Sequence, residues 1–556
     1  MKTRKILAIL LACMMLLAII AACAQDDPET TPPDTQEPTP TPEQEIAEDD
    51  DPPPPEETTT DDREHFEFTF YWNYDWADTS PIWGNDLVSA YMLEKFNISV
   101  VMDAPGTSAE EQIGLFFAMD EFPDVMMIER DSVFLQLIEQ GILLPLDEFI
   151  AGSDYERILD AGTISMSRHT DGNVYGLLNW ATTQPTGNNG WVINRGIWEE
   201  LGSPPLDTID EMFDYLMMVR DAELTVDGMS VIPLQSAADA TIMLDQMLAS
   251  FGVKNMQGVA EVDDELKLYF TAPGTEDALV FLNRLWNENL ISHDAFAITS
   301  DQVREDLTAG RVAVYYSNDI TSTLANEIRP AFLENNPGND YVVIPSPRAP
   351  GVTDVWNSHW YSLGWNVIVI TRDAQHPERI FELIDWVHSE EGTRVTRWGP
   401  QGIMWDEVDA DGFPIMTRTM DSLTPDEGDE LGAQLRWTLL GNAPFSDQAE
   451  AVLNSRLPED QQSWATAAQQ NIIWNQSMFA DAFLNIATDP VEPAGIAFSN
   501  FELQNSIFIP RIITAPNEDA ARAELEAVIE TIYGQDFALV EAHKNAIFQA
   551  NRALIG

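Results

Sequence analysis

Apolar and polar positions change their period several times along this chain. His65 to Asn73 alternates apolar and polar side chains, which predicts a β-strand. Helical spacing follows over 85–96, and 124–128 is a short, continuous apolar run after a proline. The same analysis predicts strands at 98–102, 191–194, 312–316 and 363–370, and helices at 110–119, 132–140, 196–201, 207–220, 275–289, 377–389, 519–533 and 536–554. Helices alternating with fully apolar strands are typical of a mostly parallel sheet covered on both faces.

The N-terminus has the pattern of an export signal. Three cationic residues precede the apolar run 6–20, whose length of about fifteen residues is short of the roughly 20 needed to span a bilayer. The run closes with Ile20-Ala21-Ala22-Cys23, which resembles a bacterial lipobox. That resemblance implies cleavage before Cys23 and a lipid on its thiol. A plain secretory signal and an uncleaved anchor are the alternatives.

A tether and a large body follow this signal. The segment up to residue 64 is rich in Pro, Thr, Asp and Glu, with almost nothing apolar to bury, so we expect a disordered, extended tether. Cys13 and Cys23 are the two cysteines of the chain, so the mature protein would have no disulfide. The body of about 490 residues is too long for one small domain, and two or more lobes are expected.

Charge and spacing exclude several kinds of chemistry. The formal net charge of −65 repels nucleic acid and anionic membrane surfaces, so neither is expected as a ligand. The segment 407–412 is similar to a calcium loop, but Arg418 stands where an EF-hand needs its final Glu, which favours a hairpin turn. The sequence therefore predicts neither a metal site nor a cofactor.

Seven local patterns, in order, resemble the extracellular solute-binding proteins of family 1, the ABC sugar-transporter type, and especially their larger lipoprotein members. The patterns cover Glu121 to Val125, Gly141 to Asp147, Asp171 to Leu177, Val192 to Gly202, Ala309 to Ala313, Trp365 to Gly392, and Gly399 to Ile403. One departure is Leu178, which stands where the family usually has proline. Each pattern is weak alone, and their order carries the resemblance.

The resemblance implies an α/β, two-lobed periplasmic-binding-protein-like fold of type II, with hinge strands between the lobes and a helical C-terminal region. The expected boundaries are a signal peptide at 1–22, a tether at 23–64, an N-terminal lobe at 65–182 and 317–365, a C-terminal lobe at 183–316 and 366–440, and helices packed on the lobes at 441–556. Function is then that of a monomeric, non-enzymatic receptor on the outer face of the cytoplasmic membrane. Its lipid anchors it there, and it would bind a carbohydrate, an oligosaccharide in particular, by hinge closure and deliver it to ABC permease subunits.

Candidate ligand residues follow from the chemistry of sugars, whose C–H faces pack on aromatic rings while their hydroxyls need polar partners. Continued strand alternation would turn Trp72, Tyr74 and Trp76 to one side and Asp75 to the other. Glu129, Arg130 and Asp131 end the third strand, where ligands bind in open α/β sheets, and Arg130 and Asp131 are taken as candidates. The remaining candidates are Trp180, Asn188, Asn189, Trp191, Tyr316, Asn318, Trp356, His359, Trp360 and Trp398. For each tryptophan the alternative is lobe core, and for Arg130 the alternative to clamping a uronate is a structural ion pair.

Two rival functions remain open at this point. A secreted glycoside hydrolase or lyase would need two carboxylates roughly 5–10 Å apart across a cleft, and with 93 acidic residues some pair will qualify by accident. A surface sensory co-receptor could use the same fold.

Overall fold

The computed structural model describes residues 63–555 apart from 78, 80, 107, 160, 420, 421, 433–438, 440, 459 and 460. The predicted signal segment, Cys23 and the tether up to residue 62 lie outside the described residues. Within the described part, no helix combines the length and apolar character needed to cross a membrane.

Eighteen strands occur in the described residues. In chain order they are β1 Phe66–Trp72, β2 Ile98–Asp103, β3 Val125–Ile128, β4 Leu177–Asn179, β5 Gly190–Asn194, β6 Thr225–Val226, β7 Met229–Ser230, β8 Ile232–Ser236, β9 Asn255–Met256, β10 Val259–Val262, β11 Glu265–Leu268, β12 Val312–Ser317, β13 Tyr341–Ile344, β14 Ser358–Trp360, β15 Asn366–Ile370, β16 Trp405–Val408, β17 Pro414–Met416 and β18 Ser477–Phe479.

The α-helices of the described residues are α1 Leu87–Phe96, α2 Ala109–Met119, α3 Ser132–Glu139, α4 Asp147–Ile150, α5 Asp154–Ile158, α6 Ala161–Met166, α7 Arg195–Glu200, α8 Ile209–Asp221, α9 Ala240–Ser250, α10 Thr275–Asn287, α11 Ser300–Thr308, α12 Arg329–Asn335, α13 Pro377–His388, α14 Glu390–Trp398, α15 Pro425–Leu431, α16 Ala443–Arg456, α17 Trp464–Ala468, α18 Pro493–Ile513, α19 Glu518–Tyr533 and α20 Phe537–Ile555. Side-chain caps set many of the starts. Helix α8, for example, begins after a capping box between Thr208 and Glu211.

The first sheet has the strand order β2-β1-β3-β15-β4. Strand β1 is parallel to β2 and β3, whereas β15 is antiparallel to both of its neighbours. All four residues of β3 are buried because helices cover the sheet on both faces. Met92 of α1, Leu137 of α3 and Ile380 of α13 belong to the same hydrophobic core. This sheet and its helices form the first lobe.

The second sheet has the order β13-β5-β12-β8, with β12 antiparallel to β5 and parallel to β8. Alternating side chains enter different cores on its two faces, as the period of a strand requires. Trp191 and Tyr316 join the large core of the second lobe, while Val192 and Tyr315 join a smaller core on the opposite face.

The chain crosses twice between the two sheets. Strand β4 belongs to the first sheet and β5 to the second, and the chain returns between β13 and β15. Assigning 317–365 to the N-terminal lobe was therefore wrong for β13, which pairs with β5. Assigning 366–440 to the C-terminal lobe was wrong for β15, which pairs with β3 and β4. A strand's own pattern does not reveal which sheet it joins, since both sheets are buried.

The C-terminal helices belong mainly to the second lobe. Phe501 of α18, Leu525 of α19, and Val540 and Phe548 of α20 lie in its large core. Earlier, Phe445 of α16 joins Trp398 in a separate small cluster. The predicted helical region after residue 423 also contains a strand, β18, which pairs in parallel with β14.

Candidate functional site

The carboxyl-terminal edge of the first sheet brings together four segments that are distant in sequence. Strands β1, β3 and β4 end at this edge, and antiparallel β15 begins there. The residues that follow β1, β3 and β4 therefore lie beside the loop that precedes β15. Ligands of open α/β sheets bind at such an edge.

Tyr74, Trp76 and Trp365 form an aromatic platform at this edge. The ring centroids are 4.9 Å apart for Tyr74 and Trp76, 5.1 Å for Tyr74 and Trp365, and 5.9 Å for Trp76 and Trp365. Tyr74 is buried, but Trp76 is 49% exposed. The platform thus presents an accessible indole face that is held from behind by two other rings.

A hydrogen-bond network fixes the platform to all four strand ends. The Glu129 Oε1 atom accepts hydrogen bonds from the Tyr74 hydroxyl at 3.2 Å and from Trp365 Nε1 at 2.9 Å. Asn366 Nδ2 donates to the Tyr74 oxygen at 2.8 Å, and Asn179 Nδ2 donates to Asn366 Oδ1 at 3.0 Å. Burial raises the pKa of Glu129, and the bonds from Trp365 and Tyr74 oppose that rise. Such a network orients the platform before any ligand arrives.

Arg130 and Asp131 hold backbone instead of facing a ligand. The Arg130 guanidinium donates to the carbonyls of Leu363 at 2.8 Å and Gly364 at 2.7 Å. Arg130 makes no ion pair with a carboxylate of the described residues, and its buried Nε has no hydrogen-bond partner. Asp131 caps α3 by accepting from the backbone of Val133 at 2.9 Å.

Asp75 also has a structural bond. Its carboxylate accepts from the backbone N–H of Ala109 at 2.6 Å, which ties the loop after β1 to the start of α2. The side chain remains exposed.

His359 and Trp360 were both predicted to bind the ligand, but they lie on opposite faces of the small two-stranded sheet formed by β14 and β18, called here the β14–β18 ribbon. Successive side chains of a strand point to opposite faces. His359 stacks on Tyr361 with 5.7 Å between ring centroids, whereas Trp360 packs on Phe479 at 4.7 Å. Tyr361 touches the hydrophobic cores of both lobes and lies 5.5 Å from the Arg130 guanidinium. The His359 face of the ribbon is therefore the face that carries Tyr361, where the two lobes meet.

His359 is accessible to solvent, yet protein surrounds it on several sides. That surrounding protein lowers the pKa of His359 to about 4, so the imidazole is neutral at physiological pH.

A second polar cluster lies at the β4 end of the edge, where Trp180 has a φ of 62°. This left-handed conformation is costly for a bulky residue. The Arg397 guanidinium lies 5.9 Å from the Trp180 ring and forms an ion pair with Glu450. Burial, followed by repulsion from Glu450, raises the pKa of Asp447 to about 7, and a hydrogen bond from Gln184 opposes this.

The second lobe contributes polar groups near the first crossing segment. The Asn188 side-chain oxygen accepts from the Thr321 hydroxyl at 2.7 Å, and the Asn189 carbonyl accepts from Asn357 Nδ2 at 2.8 Å. Asn318, directly after β12, is exposed. Trp356 is half-buried beneath the Lys254 ammonium, 4.6 Å from its ring.

Four predicted ligand residues are instead core residues. Trp72, Trp191, Tyr316 and Trp398 are each at most 2% exposed. Trp191 and Tyr316 stack on each other at 4.4 Å inside the second lobe. Strand β1 ends at Trp72, so the alternation that would have aligned Trp72 with Trp76 stops before the loop.

The most informative residue missing from the predicted site is Trp365. A usable signal existed, because Trp365 directly precedes β15. An antiparallel strand begins at the edge where its neighbours end, but the pairing partner of β15 was not known from sequence.

The calcium-like segment forms a hairpin, as predicted. Strands β16 and β17 pair around it, and Asp409 accepts from the backbone of Asp411 and Phe413 at 3.0 Å each and from Arg456 at 2.7 Å. In the described residues, no group of three or more His, Cys, Asp or Glu side chains is arranged to hold a metal ion.

The sequence of this chain is similar to a known protein family and to a curated protein. A sequence model described as "Bacterial extracellular solute-binding protein" matches residues 83–394. Lipoprotein LipO of Bacillus subtilis (strain 168) is 21% identical over 311 residues, which are 54% of this chain and 59% of that protein. The chain thus spans 59% of the length of this curated relative.

Solved structures show the same fold. The alginate-binding protein AlgQ2, crystallised without calcium ion, has a TM-score of 0.67 at 13% identity, covering 87% of this chain and 98% of its own. The S. pneumoniae substrate-binding protein FusA in complex with kestose gives 0.67 at 15% identity, with 88% and 99% coverage. A human-milk-oligosaccharide (HMO)-binding protein from Bifidobacterium longum infantis gives 0.62 at 14% identity, with 87% and 99%. The predicted two-lobed α/β fold is confirmed.

Proposed function

The chain belongs to the bacterial extracellular solute-binding protein family, and from this premise we propose that it is a lipid-anchored receptor that captures an oligosaccharide between its lobes for an ABC importer. Solute-binding proteins of this family work with ABC transporters. The ligand class, the anchor and the mode of closure are what the proposal adds.

The aromatic platform is the observation that carries the proposal. A pyranose or furanose ring presents C–H groups that pack on an indole face, and Trp76 offers such a face at 49% exposure. Glu129 lies beside the same rings and offers carboxylate oxygen to hydroxyls. An apolar surface next to a fixed hydrogen-bond acceptor is the combination that a sugar requires.

Closure follows from the connections between the lobes. The chain passes between the sheets at 180–189 and again at 345–365, so a few residues can absorb the change in backbone angles. A ligand that touches the platform of the first lobe and the Asn318 region of the second favours the state in which the lobes approach. Permease subunits could then distinguish loaded from empty receptor.

Support for carbohydrate and for the anchor comes from relatives as well. Several similar structures are described as binding saccharides, including kestose and human milk oligosaccharides. The curated relative is named a lipoprotein, in agreement with the lipobox at Cys23.

Thermal-shift measurement on the soluble body, residues 63–556, tests the proposal with neutral, cationic and uronic-acid saccharides of one to six units. Binding to the folded state raises the melting temperature by mass action. We expect at least one oligosaccharide to produce a shift and to be recovered unchanged by chromatography. Hydrolysis or elimination products would instead favour a polysaccharide-active enzyme, and a response to peptides alone would contradict the carbohydrate assignment.

A further inference from the structure

A short segment of the C-terminal region, residues 480–487, binds both lobes and is called here the C-terminal strap. It directly follows β18. Phe483 lies in the large core of the second lobe, whereas its neighbour Leu484 lies in the core of the first lobe. The Asn551 side chain of α20 donates to the carbonyls of Ala482 at 3.2 Å and Leu484 at 2.7 Å. The backbone of the strap is therefore fixed to the second lobe while one of its side chains enters the first.

Asp481 of the strap binds the loop 361–365, which precedes β15. Its Oδ1 atom accepts from the backbone N–H of Ser362 at 2.8 Å, and its Oδ2 atom accepts from the Ser362 hydroxyl at 2.7 Å. The N–H of the preceding residue, Ala480, donates to the Trp360 carbonyl at 2.8 Å. Asp481 is only 4% exposed. Hydrogen bonds to a carboxylate are roughly twice as strong as those between neutral groups, so this contact holds the loop firmly.

The loop 361–365 also carries part of the aromatic platform, because Trp365 is its last residue. The Gly364 N–H donates to the Tyr361 carbonyl at 3.1 Å, which closes a tight turn. Arg130 of the first lobe donates to the carbonyls of Leu363 and Gly364. The loop is thus held by an anion on one N–H and by a cation on two carbonyls. Loss of either contact should displace the ring at the end of the turn.

We propose that Asp481 is a positioning residue of the ligand site, which holds Trp365 and the aromatic platform in place from the C-terminal strap. The strap lies outside residues 83–394, which the family model matches. The inference rests on the proposed oligosaccharide-binding function and makes the C-terminal region part of that site. Its physical basis is that a stacking surface binds more tightly when it is ordered before the ligand arrives, since ordering it on binding costs free energy.

The first test measures affinity in the full-length protein. Isothermal titration uses gluco-, xylo-, manno-, fructo- and uronic-acid oligosaccharides of two to six units. For the saccharide that binds the unmodified protein best, Asp481→Ala should weaken binding at least about tenfold. Asp481→Asn keeps one oxygen as an acceptor for Ser362 and should recover part of that loss. An unchanged affinity in a folded Asp481→Ala variant would overturn the inference.

Asp124→Ala is the matched control. The Asp124 Oδ2 atom accepts from the backbone N–H of Thr69 at 2.8 Å and from the Thr69 hydroxyl at 2.9 Å, which is the same pattern of two bonds to one residue. Asp124 directly precedes β3, at the opposite end of that strand from the platform. Its replacement should leave saccharide affinity unchanged. Equal losses of affinity in Asp124→Ala and Asp481→Ala would overturn the specific role of Asp481.

A second measurement needs no ligand. Fluorine NMR of protein labelled with 5-fluorotryptophan reports the surroundings of each indole, and Trp365→Phe identifies the Trp365 resonance. Asp481→Ala should shift this resonance, whereas Trp286, stacked on His293 in the second lobe, should keep its chemical shift. Ser362→Ala removes the hydroxyl bond alone and should also shift the Trp365 resonance, which keeps the test available if Asp481→Ala does not fold.

The two measurements separate this inference from the proposed function. An unmoved Trp365 resonance in the Asp481 and Ser362 variants would overturn the positioning role, whatever the protein binds. Absence of binding by every saccharide, with the Trp365 resonance shifted as expected, would overturn the carbohydrate proposal and still support the contact between the C-terminal strap and the platform.

Discussion

At the residue scale, the two consecutive residues after β3, Glu129 and Arg130, bind different parts of the edge. Glu129 faces the platform, while Arg130 turns back to the loop that carries Leu363 and Gly364. An arginine that donates to these two carbonyls stabilises the loop before β15.

Replacement of the exposed indole gives the most direct residue-scale prediction. Trp76→Ala should weaken binding of the best saccharide at least about tenfold, because the stacking face is lost. Stability should change by less than about 1 kcal/mol, since roughly half of the side chain is already exposed. Titration calorimetry and denaturant unfolding measure the two effects.

The control for that prediction is Trp360→Ala. Trp360 is an aromatic residue of the same type on the opposite face of the β14–β18 ribbon, packed on Phe479. Its removal should leave saccharide affinity unchanged. Equal losses of affinity in both variants would indicate a general disturbance of the fold.

The raised pKa of Asp447 predicts how the stability of the protein depends on pH. Its pKa is raised from the ordinary value of 3.8 to about 7 in the folded state, so the folded protein holds a proton that the unfolded chain has lost between these values. The stability that this group contributes is present below pH 4 and is lost as the pH rises toward 7, on the order of 4 kcal/mol. Glu450 and Arg397 are the charged groups that face it.

The comparison that isolates Asp447 is the variant Asp447→Asn. The variant should show a flatter dependence of the unfolding free energy on pH between 5 and 8 than the unmodified protein, measured by urea titration at each pH. Glu407→Gln, on an exposed position of the β16–β17 hairpin, serves as the charge control. Parallel pH profiles for Asp447→Asn and the unmodified protein would contradict the raised pKa.

At the scale of elements, the edge of the first sheet depends on a close approach between two crossing segments. Gly364 has a φ of +67°, and a Cβ there would lie 2.3 Å from the Trp180 carbonyl carbon and 2.4 Å from the Ala181 nitrogen. Only glycine fits, because both the backbone angle and the space exclude a side chain. This contact positions β4 and β15 together at the site.

Gly364→Ala should therefore destabilise the protein by about 3 kcal/mol or more, as judged by denaturant unfolding. Gly152→Ala is the matched control, with a φ of +83° and open space around the position. This substitution should lower the free energy of unfolding only by the penalty of placing a Cβ in the left-handed conformation, about 1–2 kcal/mol. A loss for Gly364→Ala no larger than the loss for Gly152→Ala would show that the close contact can relax.

At the scale of the whole molecule, ligand binding should bring the lobes together. Small-angle X-ray scattering on the soluble body should show a smaller radius of gyration with the best saccharide than without it, since bound ligand favours the closed state. Trp76→Ala at the same ligand concentration should show a reduced change. An identical radius with saturating ligand would contradict closure.

Attachment to the membrane is a separate prediction at this scale. In the full-length chain, Cys23→Ala should release the protein from the membrane fraction or leave it as an unprocessed precursor, because the thiol would no longer carry a lipid. Detergent partitioning and intact-mass measurement of the mature protein distinguish the Cys23→Ala variant from the unmodified protein. Retention with a normal mature mass would contradict the lipobox.

The hydrophobic pattern determined the identity and order of fourteen elements, since the periods of strands and helices are local properties. Strands β1, β2, β3, β5, β12 and β15 and helices α1, α2, α3, α8, α10, α13, α19 and α20 appear close to their predicted bounds. The order of weak local patterns also indicated the family. Those conclusions needed only neighbouring residues and their spacing.

Tertiary structure alone decided which strands share a sheet and which aromatic residues face the gap. Trp72 and Trp76 have the same side-chain chemistry four positions apart, yet one is core and the other is exposed because β1 ends between them. Trp365 reaches Glu129 only through the pairing of β15 with β3, across 236 positions of sequence. Long-range pairing is set by the sum of many contacts, so a local pattern carries no record of it.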